Sequence, residues 1–427
     1  MTALGLDFGT TNTVLARMDA GDTAPTLVTL DGDAALYRTA LCFWHDADAR
    51  DGLAAAAGPA AIREYLDFPA DSRFLQSFKS VAASTSFDTA PVFEKRYSFE
   101  QLGRLFLAQI GEAAGGAFDR VDRLVVGRPV TYAGTRPDAA LARRRYDAMF
   151  DGIAREIHYV YEPLAAAFAD ASALDRPATL LVADFGGGTS DFSVVQVAAP
   201  GAVRRCTPLA HAGVGIAGDR FDARIVDQLV LPQLGKGGRY RSFDKVLDIP
   251  GGWFAEVADW SRLALMRNRR TLAELEKLRR SALDPEAIAR MIALIEHEQG
   301  YALYDAVGQL KRALSGAEQA RFRFEGEGIA IDTQVRRVDF ERWIADDVTR
   351  IAATLDTALA RSAVTEAAID RVFLTGGTSL VPAVRALFEA RFGPERIASG
   401  GELTSIAHGL ALVAREDDPT IWAQAAQ

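Results

Sequence analysis

The sequence predicts an α/β protein built from two related halves, and three observations support this prediction. Strand-like apolar runs alternate with helix-like runs along most of the 427 residues. A glycine-rich segment at residues 4–15 is repeated at residues 182–193, each with an apolar run, an Asp, a Gly/Thr turn and a second apolar run. The chain also exceeds the length of one average domain. We therefore expect two lobes of common design.

The periodicity of apolar residues gives the elements in order. Strands are predicted at 3–8, 12–18, 25–30, 123–127, 179–185, 191–197, 203–210 and 371–375. Helices are predicted at 99–114, 137–149, 163–173, 219–233, 302–315, 340–362, 380–391 and 405–415. Strands mixed with helices of this length indicate central sheets that are covered by helices.

The break at Asp175-Arg176-Pro177 marks the expected crossover between the lobes. It gives a first lobe at 1–175, with a peripheral part at about 31–100. The second lobe follows at 176–415, with a peripheral helical part at about 217–325, and 416–427 is a tail. Within it, residues 232–300 are predicted to be an inserted helical pair, roughly 254–282 and 285–299, hinged at Asp284-Pro285. The many arginines of this insertion favour a solvated helix face over a partner site.

Composition and charge exclude several classes of function. A net charge of −9 argues against a nucleic-acid surface, which needs a clustered basic face. The two cysteines, Cys42 and Cys206, are too few for a disulfide scaffold or a thiolate metal site. The five histidines show no zinc-ligand spacing. Without a basic leader or an apolar run of ~20 residues, we expect a cytoplasmic protein with no membrane segment.

The two repeated segments predict β-hairpins whose tips bind phosphate. Glycines let backbone N–H groups approach a phosphate, threonine hydroxyls add donors, and an Asp at the strand end can hold a hydrated divalent cation. Three consecutive glycines inside a strand pattern cost stability, so a ligand at the second tip would explain them. The residues concerned are Asp7, Gly9, Thr10, Thr11 and Asn12 at the first tip, and Asp184, Gly186, Gly187, Gly188, Thr189 and Asp191 at the second.

Two further elements support a ligand site. A turn with Gly376, Gly377 and Thr378 follows a predicted strand and precedes a helix with Pro382 in its first turn. Such a turn presents unpaired N–H groups and a positive dipole end to a ligand. Glu162 stands just before a helix of small residues, where it could hold a metal or water, or interact only with the helix N-terminus.

Competing motifs fit less well. The sequence contains no Walker loop and no G-x-S-x-G elbow. Residues 213–218 match the dinucleotide pattern G-x-G-x-x-G, but they lie deep in the chain and outside a clear βαβ unit. Nicotinamide binding is therefore the weaker interpretation of these glycines.

Taken together, these elements resemble the actin-like ATPase superfamily, and within it the DnaK-type, seventy-kilodalton heat-shock family. The runs DFGTTN at 7–12, GGTSD at 187–191 and IAGDRFD at 216–222 look like motifs of that family. The runs GRPV at 127–130, YEP at 161–163 and LTGG at 374–377 are similar to those of its short YegD-type members. The resemblance implies an actin-like ATPase (ribonuclease H-like) fold, with two duplicated lobes and four subdomains around a nucleotide cleft.

The resemblance also implies roles for single residues. Asp7, Glu162 and Asp184 would belong to the shell of a hydrated Mg²⁺, and the tip residues would hold the phosphates of ATP or ADP. Lys79, which sequence reasoning alone does not single out, would position the attacking water beside Thr189 and Asp191. The remaining implied nucleotide contacts are Gly218, Lys311, Ser315, Gly376, Gly377 and Thr378.

The sequence departs from the family in three places. The glutamate expected before Lys311 is Gly308, and the arginine that stacks on adenine is Leu380, so adenine selectivity is less secure than phosphate binding. About a dozen residues follow the last predicted helix, so we expect no peptide-binding domain in this sequence.

The expected function is that of a slowly hydrolysing, Mg²⁺-dependent ATPase of the DnaK/YegD type whose lobes close with nucleotide state. Client or co-chaperone proteins are not identified by the sequence. A metabolite kinase with Asp191 as the base, an actin-like filament subunit and a nucleotide sensor with little turnover stay open as alternatives.

Overall fold

The computed structural model describes residues 1–29, 35–49, 52–69, 71–134, 136–172, 174–200, 202, 205–263, 266–398 and 403–424. The strands, in chain order, are β1 Ala3–Phe8, β2 Asn12–Met18, β3 Thr26–Leu27, β4 Tyr37–Arg38, β5 Ala40–His45, β6 Leu53–Ala57, β7 Ser72–Gln76, β8 Ala90–Val92, β9 Lys95–Tyr97, β10 Arg123–Arg128, β11 Glu156–Tyr161, β12 Ala178–Phe185, β13 Ser190–Val197, β14 Cys206–Val214, β15 Arg239–Ser242, β16 Lys245–Asp248, β17 Gln319–Gly326, β18 Ile329–Arg336, β19 Arg371–Thr375 and β20 Ile397–Ala398.

The α-helices, in the same order, are α1 Gly58–Asp67, α2 Phe99–Ala113, α3 Ala139–Phe150, α4 Glu162–Ser172, α5 Gly218–Ile225, α6 Gly251–Val257, α7 Trp260–Leu263, α8 Arg269–Ser281, α9 Pro285–Glu296, α10 Gly300–Gly316, α11 Arg337–Ser362, α12 Pro382–Phe392, α13 Ser405–Val413 and α14 Thr420–Gln424. Short 3₁₀ turns at Phe78–Val81 and Gly377–Leu380 belong to the candidate site described below. No helix in the described ranges is long and apolar enough to cross a membrane.

The chain forms two compact units. The first unit contains Met1–Tyr65, Gln76–Gly218 and Val348–Gln427, and the second contains Leu66–Leu75 and Asp219–Asp347. Both repeated hairpins lie in the first unit. The lobe bounds expected from the sequence, at 1–175 and 176–415, stay a prediction.

Two sheets of matching design form the centre of the first unit. One has the strand order β11-β10-β1-β2-β3, and the other has the order β14-β13-β12-β19-β20. In each, a hairpin of antiparallel strands (β1 with β2, β12 with β13) adds a parallel strand on the other side of its first member (β10 or β19). The duplication that the sequence repeat predicts is therefore present in the strand order.

Helices α4 and α13 pack against each other and against these sheets, α4 on β12 and β13, and α13 on β1 and β2. Two glycines make this close approach possible. A Cβ at Gly409 would lie 1.8 Å from the carbonyl oxygen of Ala165, and one at Gly5 would lie 2.3 Å from the amide nitrogen of Ala411. Because backbone meets backbone at both places, a side chain at Gly409 would force α13 away from α4, and one at Gly5 would force α13 away from β1.

The second unit combines helices with two hairpins. Hairpin β17–β18 places Phe322 and Phe324 in the interior, and α8 and α9 pack against each other. Three arginines of α8 form ion pairs with acidic neighbours on the same helix: Arg270 with Glu274, and Arg279 and Arg280 with Glu276. These pairs fit the expected solvated face.

Several predicted elements need correction. The helix expected over 254–282 is interrupted: α6, α7 and α8 replace it, because side chains such as Asn268, which accepts a hydrogen bond from the amide of Thr271, start a new helix. The strand expected at 25–30 is reduced to Thr26–Leu27, and residue 30 lies outside the described ranges. Residues 203 and 204 of the strand expected at 203–210 also lie outside the described ranges. The observed strand β14 continues beyond the expected end, to Val214. The hairpins β15–β16 and β17–β18 were not predicted.

Candidate functional site

The first hairpin tip is held open by a neighbouring threonine. The hydroxyl of Thr39 donates to the carbonyl of Gly9 at 2.7 Å and lies 2.9 Å from the hydroxyl of Thr13, while its amide donates to the carbonyl of Thr11. Residues 9–12 remain partly exposed. The tip is thus fixed from behind, and Thr10 and Thr11 stay accessible to a ligand.

The second tip is closed by its own backbone. The amide of Gly186 donates to the carbonyl of Thr189 at 3.0 Å, and the Thr189 hydroxyl donates to Oδ2 of Asp191 at 2.8 Å. Residues 186–189, which include Gly187 and Gly188, are partly exposed, whereas Asp191 is fully buried. The tip therefore presents small residues over a buried carboxylate.

Asp191 is fixed from its other side as well. Its Oδ1 accepts the amide of Thr131 at 3.2 Å, and a Cβ at Gly213 would lie only 2.0 Å from the same oxygen. Gly213 is the first glycine of the G-x-G-x-x-G match. Its close approach to Asp191 explains why a glycine stands at this position, and no dinucleotide is needed to explain it. Neither Thr131 nor Thr39 was singled out by sequence reasoning, because both act through tertiary contacts that leave no local signal.

Asp7 and Asp184 occupy equivalent places in the duplicated sheets. Each is the last but one residue of its strand, β1 or β12, and each is followed by a phenylalanine and a glycine tip. Asp184 lies directly across the hairpin from Asp191, whereas Asp7 lies across from Val14. The two halves thus place a carboxylate at the equivalent strand end, and the second half adds a further carboxylate, that of Asp191.

Lys79 reaches this cluster from a separate loop. It lies in the 3₁₀ turn Phe78–Val81, which follows Ser77 in a left-handed conformation with φ of 54°. The amide of Ser77 donates to the carbonyl of Thr39, which ties the loop to the first tip. The Lys79 ammonium donates to Oε1 of Glu162, the first residue of α4, at 2.6 Å, and both side chains are more than nine-tenths buried.

Electrostatics couple these groups. Burial, reinforced by the charge of Glu162, raises the pKa of Asp7 to about 7 and that of Asp191 to about 8. Burial and the charges of Glu162, Asp7 and Asp191 raise the pKa of Asp184 well above its usual range. Burial disfavours the charged form of Lys79, but the negative charges of Glu162 and Asp7 outweigh it and raise its pKa.

The donor set fits a hydrated divalent cation. The cluster contains several carboxylates and one ammonium. Mg²⁺ prefers oxygen ligands and usually keeps several of its own water molecules. Among the described residues, no three His, Cys, Asp or Glu side chains are grouped closely enough to hold an ion directly. Contact through water is the form of binding that the family resemblance implies for Asp7, Glu162 and Asp184.

The third predicted element adjoins the second tip. Gly376 has φ of 80°, and a Cβ there would lie 2.1 Å from the carbonyl oxygen of Phe185. The hydroxyl of Thr378 donates to the carbonyl of Gly186 at 3.3 Å. The turn continues as the 3₁₀ segment Gly377–Leu380, and α12 begins at Pro382. The structure therefore brings Gly376 and Thr378 to the second tip.

The other implied nucleotide contacts lie elsewhere in the chain. Gly218 is buried at the start of α5 and is the last residue of that segment of the first unit. Lys311 and Ser315 belong to the second unit, where Lys311 pairs with Asp222 at 2.8 Å and the Ser315 hydroxyl donates to the Lys311 carbonyl. Their role as nucleotide contacts stays a prediction.

A cavity of about 510 Å³ adjoins Asp191 within the first unit. Among the described residues that line it are Thr131 and Gly213, which touch Asp191, together with Tyr161, His211 and Arg361. Asp191 itself does not line the cavity and is fully buried.

Comparison with known proteins identifies relatives that match 92% of this chain. The family model described as Hsp70 protein matches residues 295–419. The stromal 70 kDa heat shock-related protein, chloroplastic, of Pisum sativum is 24% identical over 408 residues, which cover 92% of this chain and 50% of that protein. Heat shock 70 kDa protein 6, chloroplastic, of Arabidopsis thaliana is 23% identical over 410 residues, covering 92% of this chain and 49% of that protein.

A bacterial relative gives the same result. The chaperone protein DnaK of Ureaplasma urealyticum is 22% identical over 412 residues, covering 92% of this chain and 54% of that protein. The chain thus spans about half the length of the curated relatives it matches. With the duplicated sheets described above, these matches confirm the predicted α/β, actin-like fold class. These matches support membership of the Hsp70 family.

Proposed function

We propose that this chain binds ATP and ADP with Mg²⁺ and hydrolyses ATP slowly, as a chaperone-like protein whose lobes close with nucleotide state. The observation that carries the proposal is the meeting of the paired tips with a buried cluster of Asp7, Glu162, Asp184 and Lys79. Kinship with proteins named as heat-shock proteins and chaperones supports it. The assignment to the short YegD-type members is part of the proposal.

The tips would bind the phosphates through backbone amides and threonine hydroxyls. Thr10, Thr11 and Thr189 supply hydroxyls, and the glycines let the chain approach the phosphate oxygens. A bound Mg²⁺ would supply neutralisation of the polyphosphate charge. Asp7, Glu162 and Asp184 would hold the water shell of the Mg²⁺. Without the cation, the negative charges of these carboxylates would repel the phosphates.

Lys79 would orient the attacking water, and Asp191 and Thr189 would provide the remaining hydrogen bonds to that water. In the present structure the ammonium is paired with Glu162, so this role requires Lys79 to exchange that carboxylate for the phosphate end of the nucleotide. Phosphoryl transfer asks for positioning and charge neutralisation rather than covalent chemistry, and the cluster offers both.

A metabolite kinase with Asp191 as the base stays open as an alternative, and faster ATP consumption in the presence of a sugar or a small acid would favour it. Client and co-chaperone binding are proposed from kinship alone. A cytoplasmic location stays a prediction, because the plant relatives are chloroplastic.

The test is the rate of ATP hydrolysis with Mg²⁺ in three variants. Asp184→Asn should lower the rate by about 100-fold or more, and Lys79→Ala should lower it about as much while nucleotide affinity stays within about threefold. Asp147→Asn, an exposed carboxylate paired with Arg143, is the control and should leave the rate unchanged. Unchanged turnover in Asp184→Asn would refute the proposal.

A further inference from the structure

The loop that delivers Lys79 has little regular structure of its own. It consists of one 3₁₀ turn at Phe78–Val81 and a chain of tight turns that continues to Phe87. Its internal hydrogen bonds are short-range, such as the amide of Ala82 to the carbonyl of Lys79 and the amide of Ser84 to the carbonyl of Val81. Segments of this kind open locally unless another element holds them.

One side chain from α3 holds this loop. Arg145 donates from Nη1 to the carbonyls of Val81 and Ala82 at 2.8 and 3.0 Å, and to that of Ser84 at 3.2 Å. Its Nη2 donates to the carbonyl of Phe87 at 2.6 Å. Its guanidinium also lies 3.7 Å from Glu100, and Arg145 is 7% exposed.

The geometry explains why an arginine stands at this position. Several carbonyl oxygens converge on one point, and such an arrangement of dipoles needs a cation at its centre. The planar guanidinium provides several donors in fixed directions and is always charged, whereas a lysine ammonium provides three donors at one point. An apolar side chain of similar length would leave the carbonyls buried without donors.

We propose that Arg145 is a positioning residue for Lys79, fixing the loop so that the ammonium meets the carboxylate cluster. Val81 and Ala82 follow Lys79 directly, and the amide of Ala82 donates to the Lys79 carbonyl, so the hold of Arg145 on these residues reaches Lys79 within one turn. On the other side, Ser77 is tied to Thr39. For hydrolysis, this inference rests on the proposed function.

The first test does not depend on hydrolysis. Lys79 is buried, so its acylation by acetic anhydride in the nucleotide-free protein, followed by mass spectrometry, reports how often the loop opens. Arg145→Met should raise the labelling rate of Lys79 by about tenfold or more, with Arg145→Lys in between. Lys311, in the second unit, is the internal reference and should label at an unchanged rate. Arg143→Met, an exposed arginine on the same helix, is the matched control.

The second test separates positioning from general stability. If Arg145 acts through Lys79, Arg145→Met should lower the ATP hydrolysis rate by about tenfold with nucleotide affinity unchanged, and should add nothing in a Lys79→Ala background. Arg145→Lys should restore part of the rate. If Arg145→Met does not fold, the lysine variant carries both tests.

The outcomes are distinct. Equal labelling of Lys79 in wild type and the Arg145 variants would overturn the proposal, as would an additive loss in the Lys79→Ala background. A wild type that binds no ATP would contradict the proposed function, while the labelling result would still decide whether Arg145 fixes the loop.

Discussion

The ammonium of Lys79 donates a 2.6 Å hydrogen bond to Oε1 of Glu162, although the two residues are 83 positions apart in the chain. The bond joins a short 3₁₀ turn to the start of α4, and both side chains are almost fully buried. Asp7 also lies close enough for its charge to raise the pKa of Lys79. The ammonium therefore balances more than one carboxylate in a place from which water is largely excluded.

The two partners of this ion pair should not be equally costly to remove. Lys79→Met takes the positive charge out of a cluster of carboxylates and should lower the free energy of unfolding by about 3 kcal/mol at neutral pH. Glu162→Gln leaves Lys79 with Asp7 as a neighbour and should cost clearly less, about 1 kcal/mol. Urea denaturation of the two variants and the wild type measures both effects. Equal losses would contradict the charge balance described here.

The stability of the metal-free and nucleotide-free protein should fall as the pH rises. Asp7 and Asp191 have folded-state pKa values raised to about 7 and about 8, so between about pH 4 and 8 the folded state keeps protons that the unfolded state has released. Their contribution is complete below the ordinary aspartate pKa and is lost as the pH passes through the raised values. Each such group contributes a slope of about 1.4 kcal/mol per pH unit within that window.

Denaturation at pH 5, 6, 7 and 8 tests this pH dependence. Asp191→Asn should make the curve shallower, and Mg²⁺ with ADP should stabilise the protein most at pH 8, where the carboxylates are ionised. The exposed control Asp147→Asn should leave the slope unchanged. A stability that rises steadily from pH 5 to 8 in the metal-free protein would show that these carboxylates are not held protonated.

Two adjacent glycines in the third turn should respond differently to alanine. At Gly376 the φ of 80° and the carbonyl of Phe185, 2.1 Å from an added Cβ, leave no room, so Gly376→Ala should destabilise the protein by about 2–4 kcal/mol. At Gly377 an added Cβ would meet Leu403 only at 4.0 Å, so Gly377→Ala should stay within about 0.5 kcal/mol. Thermal unfolding of the two variants decides between them, and similar melting temperatures would count against the described turn.

The sequence predicts those parts of the fold that depend on local patterns. The hairpins β1–β2 and β12–β13 follow from apolar strands on either side of a glycine turn, and the repeat of that pattern predicts the duplicated sheets. Hairpin β17–β18 carries a usable sequence signal, since Phe322 and Phe324 alternate with charged residues and are buried. Hairpin β15–β16 carries a weaker sequence signal, because all four residues of β16 are exposed and two of them are charged.

The candidate site also contains some residues that a local sequence pattern predicts and others that it does not. Asp7, Asp184 and the tip residues stand at strand ends that a local pattern marks, whereas Lys79 entered only through family resemblance. The residues that hold the site, Thr39 and Arg145, stand in unremarkable stretches and act through contacts 30 and 64 positions away along the chain. Such contacts depend on how elements pack, and a single sequence does not encode them in any short pattern.

The central claim is that the paired tips and the carboxylate cluster form a Mg²⁺-dependent nucleotide site, and isothermal titration calorimetry tests it most directly. ATP titrated into the protein with Mg²⁺ should bind at one site per chain. Chelation of Mg²⁺ with EDTA or the substitution Asp184→Asn should weaken that binding by about tenfold or more. The Asp147→Asn control should bind as the wild type does. No saturable binding of ATP or ADP in the presence of Mg²⁺ would contradict the account.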